Sequence, residues 1–178
     1  LQQYVGQVVV GRNISQSILL ITGTAGGGKS SLVNIIEQLA GPANVTELRV
    51  GHLGGRFETQ RYLGRSLLTA KDVPQDFLRG RSASRLKALV GKDALTVEKK
   101  GLNDVAAIIG ELNVIVTSNT AQPVRLENDR EAWERRLLWI QFANSRPRHP
   151  IPDFDRVLLN REGPGILSWP SKAPGRSC

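Results

Sequence analysis

Eight consecutive residues, Gly23-Thr24-Ala25-Gly26-Gly27-Gly28-Lys29-Ser30, satisfy the pattern G-x-x-x-x-G-K-[ST]. Glycines at these positions let backbone N–H groups turn inward around an anion with no side chain in the way. A helix that begins at the lysine aims its positive N-terminal end at the same point. Lys29 is long enough to reach the β- and γ-phosphates of a nucleoside triphosphate. The Ser30 hydroxyl suits Mg²⁺, and Ser31 follows in the first turn. A chance match in 178 residues is on the order of one in a hundred. The motif requires a strand before it and a helix after it, and both are present. Ser17 to Gly23 is a compact apolar run closed by glycine. From Lys29 to Ala40, Leu32, Ile35, Ile36 and Leu39 recur at helical spacing until Gly41-Pro42 stops them.

Three further places carry residue types that phosphoryl chemistry uses. Asp72 closes a second apolar run, Ser66 to Asp72, where an acid can hold Mg²⁺ through water. Taken alone it reads equally well as a strand-end turn residue. Asn119 closes the run Asn113 to Asn119, the clearest central strand after the first. Its amide could orient an attacking water, although Asn is common at strand ends. Arg135-Arg136 precedes the final strand, Leu137 to Phe142. Paired arginines usually form solvated faces or salt bridges. The sharper reading is an arginine finger that reaches a neighbour's nucleotide, because a guanidinium matches spreading phosphoryl charge.

The remaining elements follow from periodicity and punctuation. Residues 1–16 show no strong pattern. Val45 to Val50 suits a strand and Glu58 to Leu63 a short helix. Residues 83–90 suit a helix capped by Gly91. Leu95 and Val97 alternate with polar neighbours as a half-exposed strand does, and Lys99-Lys100-Gly101 turns the chain. Asn103 or Asp104 is placed to cap a short helix through Ile109, and Glu131 to Arg136 reads as helix or turn. Six of the nine prolines lie in the last 35 residues, which predicts a loop-rich tail after a core ending near residue 143. Alternating strands and helices indicate an α/β fold, a mainly parallel sheet covered on both faces.

Composition narrows the partners. Forty per cent hydrophobic residues suffice for a buried core, and 24 Lys plus Arg against 16 Asp plus Glu give a net charge of +8. That balance suits a polyanion such as nucleic acid. The single cysteine, Cys178, excludes an internal disulfide framework and a thiolate metal cluster. The expected location is a reducing, intracellular one, the cytoplasm. No run approaches the roughly 18 apolar residues of a membrane span. A start at Leu and the absence of Met suggest a fragment of a longer protein.

The landmarks fall in a recognisable order: Gly23–Ser30, Arg56-Phe57-Glu58, Gly64-Arg65-Ser66-Leu67-Leu68, Leu86-Lys87-Ala88-Leu89-Val90-Gly91-Lys92-Asp93, Thr117-Ser118-Asn119 and Arg135-Arg136-Leu137. Together, over roughly residues 10–170, they resemble the superfamily 3 helicase domain of phage and plasmid DNA primases, related to the poxvirus primase–helicase. Glu162 to Trp169 also looks like that family's segment downstream of the ATPase core. The resemblance implies an AAA+-like P-loop ATPase that assembles as a ring, usually of six subunits. ATP lies between subunits and single-stranded DNA passes through the channel. By motif, Gly23–Ser30 corresponds to the Walker A loop, Asp72 to the Walker B acid and Asn119 to the polar sensor. Arg135 or Arg136 corresponds to the finger acting on the adjacent subunit. Lys99 and Lys100 fall near the tip of an inserted DNA-binding hairpin. From Arg79 to Lys100 there are seven basic residues and two acidic ones, where the family contacts DNA.

One departure concerns the chemistry. Lys71 precedes Asp72 where many relatives have a second acid, and Glu58 or Asp76 is the candidate replacement. The reading is therefore an ATP-dependent DNA helicase module of phage- or plasmid-type replication. The alternatives are a phosphate-loop enzyme of another kind, such as a small-molecule kinase, and a remnant that binds nucleotide or DNA without turnover.

Overall fold

The computed structural model describes residues 1–74, 76–78, 80–98, 105–119, 130–144 and 147–170. Its centre is a five-stranded parallel sheet in the order β2-β3-β6-β1-β7. The strands are β1 (Ile18–Gly23), β2 (Val45–Glu47), β3 (Leu67–Ala70), β6 (Asn113–Ser118) and β7 (Leu137–Phe142). β1, β3 and β6 are buried along their whole length. This is why they read as continuous apolar runs and not as alternating ones.

Alternate residues of these strands feed two separate cores. Ile18, Leu20, Leu68, Val114 and Val116 face one layer. It contains Leu86, Leu89 and Val90 of α3 (Gly80–Val90) and Trp133 of α4 (Arg130–Glu134). Leu19, Ile21, Leu67 and Ile115 face the other, with Val33 and Ile36 of α2 (Lys29–Ala40) and Tyr4, Val5 and Val8 of α1 (Gln2–Val10). Each such aliphatic side chain contributes about 1.5–3 kcal/mol on full burial. The sheet is thus covered on both faces, as the alternating pattern predicts.

Three expectations are corrected. The featureless N-terminus is helix α1, whose Tyr4 hydroxyl donates to the Val114 carbonyl at 2.6 Å. Residues leading to Ile109 form not a helix but strand β5 (Val105–Ile109), antiparallel to β4 (Ala94–Glu98) in a separate two-stranded hairpin. Asn103 and Asp104 lie outside the described residues. The proline-rich tail carries a fifteen-residue helix, α5 (Phe154–Ser168), with Pro164 inside it. α5 lies against α2, where Asn34 Nδ2 donates to Asp155 Oδ2 at 2.9 Å. No helix among the described residues is long and apolar enough to cross a membrane.

The hairpin root is tight. Lys92 N–H bonds the Gly110 carbonyl and Gly110 N–H bonds the Asp93 carbonyl. A Cβ on Gly110 would stand 1.8 Å from the Ala88 carbonyl oxygen of α3.

Candidate functional site

The strand order decides what meets at the C-terminal edge of the sheet, where open α/β sheets place ligands. β6 lies between β1 and β3, in register Thr22↔Ser118 and Ala70↔Val116. Three tips therefore sit side by side: the glycine-rich turn after β1, Asn119 after β6 and Asp72 after β3. The sequence separates them by up to 90 positions between Lys29 and Asn119.

The turn is shaped by its glycines. Gly23, Gly26 and Gly28 have φ of 139°, 77° and 95°. Gly23 is the most constrained, because an added Cβ would lie 2.2 Å from the Phe142 carbonyl oxygen on β7. Both the left-handed backbone and this approach exclude any side chain. Gly23→Ala is expected to lower stability by about 2–4 kcal/mol, read as a shifted urea midpoint at unchanged slope. Across the turn, Thr24 Oγ1 donates to the Asn144 carbonyl at 3.4 Å, and the same oxygen limits space at Gly27 to 3.2 Å.

Lys29 is 5% exposed, and its ammonium has three partners. They are the carbonyls of Gly23 (2.9 Å) and Thr24 (2.8 Å) and Asn119 Oδ1 (2.8 Å). All three N–H donors are thus used, and every acceptor is neutral. A buried cation balanced only by dipoles has a strong preference for an arriving anion. α2 begins at this lysine with Gly28 as its N-cap, without a side-chain cap or an acid in its first turn. Ser30 is exposed and Ser31 half-buried, both in that first turn.

Asp72 is exposed, and its backbone is left-handed, with φ of 56°. The chain there is held from β6. Asp72 N–H donates to Thr117 Oγ1 (3.1 Å), Val73 N–H to the Thr117 carbonyl (2.9 Å), and Ser118 Oγ to the Val73 carbonyl (3.0 Å). Among the described residues no cation pairs with the Asp72 carboxylate, and no cluster of three or more His, Cys, Asp or Glu is present. One free carboxylate and one hydroxyl suit Mg²⁺ that takes its other ligands from phosphates and water.

Glu58 is not a spare acid. It is 4% exposed and bound by Arg49 through both carboxylate oxygens, with the Tyr62 hydroxyl donating to Oε1 at 3.2 Å. Burial, reinforced by the Glu58 charge, pushes the Tyr62 phenol well above its usual range. Asp76 is exposed in the turn after β3.

The two arginines are at the opposite edge. The Arg136 carbonyl accepts from Ile18 N–H at 2.7 Å, at the beginning of β1. Five residue steps of strand, about 17 Å, separate that point from Gly23. Neither arginine joins the tips of its own chain. They also differ from each other. Arg136 turns back on α4, donating to the Ala132 carbonyl at 3.0 Å, with its Nε buried and unpartnered. Burial, then the adjacent Arg135, pushes its pKa down. Arg135 is exposed, and it lines a groove of about 720 Å³ with Tyr4, Gln7, Val10 and Ile14.

Lys99 and Lys100 lie outside the described residues; the strands they connect, β4 and β5, lie within them. Of the other basic residues in that stretch, Arg85 donates to Thr59 at 3.1 Å and Lys87 stands 5.7 Å from the Trp133 ring centroid. Part of the local charge therefore serves the fold. Phe142 and Asn144 were not legible as neighbours of the turn, because only the pairing of β7 with β1 brings them there.

The chain is similar in fold to an apo structure of the NrS-1 C-terminal region (305–718), with a TM-score of 0.72 and 18% identity over 97% of this chain and 41% of that one. An A-form apo structure of the NrS-1 C-terminal region gives a TM-score of 0.70, with the same identity and coverage. This chain therefore spans about two fifths of those chains. A structure of JCV helicase superposes more loosely, at a TM-score of 0.49 and 12% identity over 94% of this chain and 51% of that one. A family model matches residues 21–136, from β1 through both central tips to Arg136, and on that match the chain belongs to DUF5906, a family of unknown function.

Proposed function

We propose that this chain is the ATPase module of a ring-forming DNA helicase, acting on single-stranded DNA in phage- or plasmid-type replication in the cytoplasm. The observation that carries the reading is the contact between Lys29 and Asn119 inside a loop of left-handed glycines. A lysine that bridges the glycine-rich turn to a polar strand tip is where a triphosphate and its attacking water would be handled together. The order of motifs, which resembles the superfamily 3 helicase domain, supports the same conclusion.

In this reading ATP lies along Gly23 to Ser31. Lys29 exchanges its carbonyl partners for phosphate oxygens, and Asn119, thereby released, orients the nucleophilic water. Ser30 and Asp72 would hold Mg²⁺, which supplies charge neutralisation to the phosphates. The stabilising guanidinium is that of Arg135 from another copy, since its own loop is about 17 Å away. Arg136 keeps the α4–β7 corner in place. Six copies close a ring, and the β4–β5 hairpin carries Lys99 and Lys100 toward a DNA backbone.

The test is ATP hydrolysis with and without single-stranded DNA, measured beside oligomer mass. Turnover per subunit is expected to be low on dilution to monomers, to rise on assembly and to rise again with DNA. Equal turnover at every dilution overturns the shared site. Replacing Lys99 and Lys100 together by Ala should leave nucleotide affinity unchanged and weaken single-strand binding about tenfold at one stated salt concentration. Undiminished DNA affinity in that variant removes the hairpin assignment.

A further inference from the structure

We propose that Lys71 is a positioning residue that holds the Asp72 carboxylate at the metal site by tying the β3 tip to α2. The inference rests on the function proposed above and adds a residue to its metal site.

Lys71 does not face the glycine-rich turn. Its Nζ donates to Asn34 Oδ1 at 3.0 Å and stands 3.4 Å from Glu37 Oε2, both on α2. Thr69, two residues earlier and therefore on the same side of the strand, donates to the other Glu37 oxygen at 2.7 Å. Asn34 is itself oriented by Asp155 of α5. One carboxylate thus grips β3 at two successive same-side positions, and one amide links that grip to the C-terminal helix.

Immediately afterwards the chain enters the left-handed region at Asp72, a conformation that L-residues adopt at some cost. It persists because both flanks are fixed, Lys71 by α2 and Asp72-Val73 by Thr117 and Ser118 of β6. With the tip held this way, the backbone that carries Asp72 is fixed from both sides, by α2 through Lys71 and by β6 through Thr117. A half-exposed ion pair adds little to stability. Its value here lies in where it puts the next residue. In place of a second acid this chain has an anchor, and Asp72 is the one carboxylate assigned to its metal site.

The experiment measures Mn²⁺ affinity by electron paramagnetic resonance at saturating ATP, together with metal-free ATP affinity and the Mg²⁺ dependence of hydrolysis. Lys71→Met is expected to raise the half-saturating Mn²⁺ concentration about tenfold, as loss of outer-shell support does, with metal-free ATP affinity unchanged. Lys71→Arg should restore most of the loss, and Glu37→Gln should fall between. Should Lys71→Met not fold, the Arg and Gln variants carry the test. Mn²⁺ affinity equal to wild type in the variants overturns the anchor alone, and so does an equal loss of metal-free ATP affinity. A wild-type chain that binds neither ATP nor its Mn²⁺ complex overturns the proposed function and the anchor with it.

Discussion

Lys29→Ala should abolish ATP turnover while leaving the fold intact. Among the described residues the ammonium is the charge at the centre of the glycine-rich turn, and its present partners are two carbonyls and an amide oxygen. Removing it deletes the group that would follow charge as it develops on the transferring phosphoryl. Loss of a preorganised donor of this kind costs about 10²–10³-fold in rate. The stability cost should stay at about 1–3 kcal/mol, because the exposed Thr24 and Asn119 acceptors can turn to water while the buried Gly23 carbonyl is left without its donor. Phosphate release and urea unfolding on the same preparation give both values. Turnover within threefold of wild type would mean that the turn does not handle a triphosphate.

The second large effect is expected at Arg135. Arg135→Ala should lower the rate about 10³-fold, as removal of an arginine finger does, with nucleotide affinity retained. Arg136→Ala should act differently. Its guanidinium caps the end of α4 through the Ala132 carbonyl, so the loss appears as a lower unfolding midpoint more than as a changed rate constant. Complementation then separates cis from trans. Mixing Arg135→Ala with Lys29→Ala, each inactive alone, should recover part of the activity at interfaces that pair an intact loop with an intact arginine. Mixed assemblies shown by mass to form, yet inactive, would contradict the shared site.

The strand tips were more legible in the sequence than the packing around them. The turn, Asp72 and Asn119 are each announced by an apolar run ending in a polar or glycine residue, because strands buried on both faces leave no other pattern. The misread segments lack such punctuation. α1 is rich in valine, a weak helix former, yet Tyr4, Val5 and Val8 give it an inward face that tertiary packing uses. The stretch to Ile109 is short and apolar, and its pairing with β4 decides in favour of strand. In α5, Gly163-Pro164-Gly165 argues against a helix locally, and it is contacts with α2 that keep one there. Which arginine is exposed, and that Lys71 turns onto α2, are matters of side-chain direction that periodicity does not carry.

The root of the β4–β5 hairpin has a mechanical consequence. With space for not even one methyl group between Gly110 and the Ala88 carbonyl, and with residues 92–93 and 110 laced together by backbone bonds, the two strands cannot pivot where they leave the body. A displacement of the two strands is therefore shared with α3, whose Leu86, Leu89 and Val90 sit with Leu95 of β4 in the core.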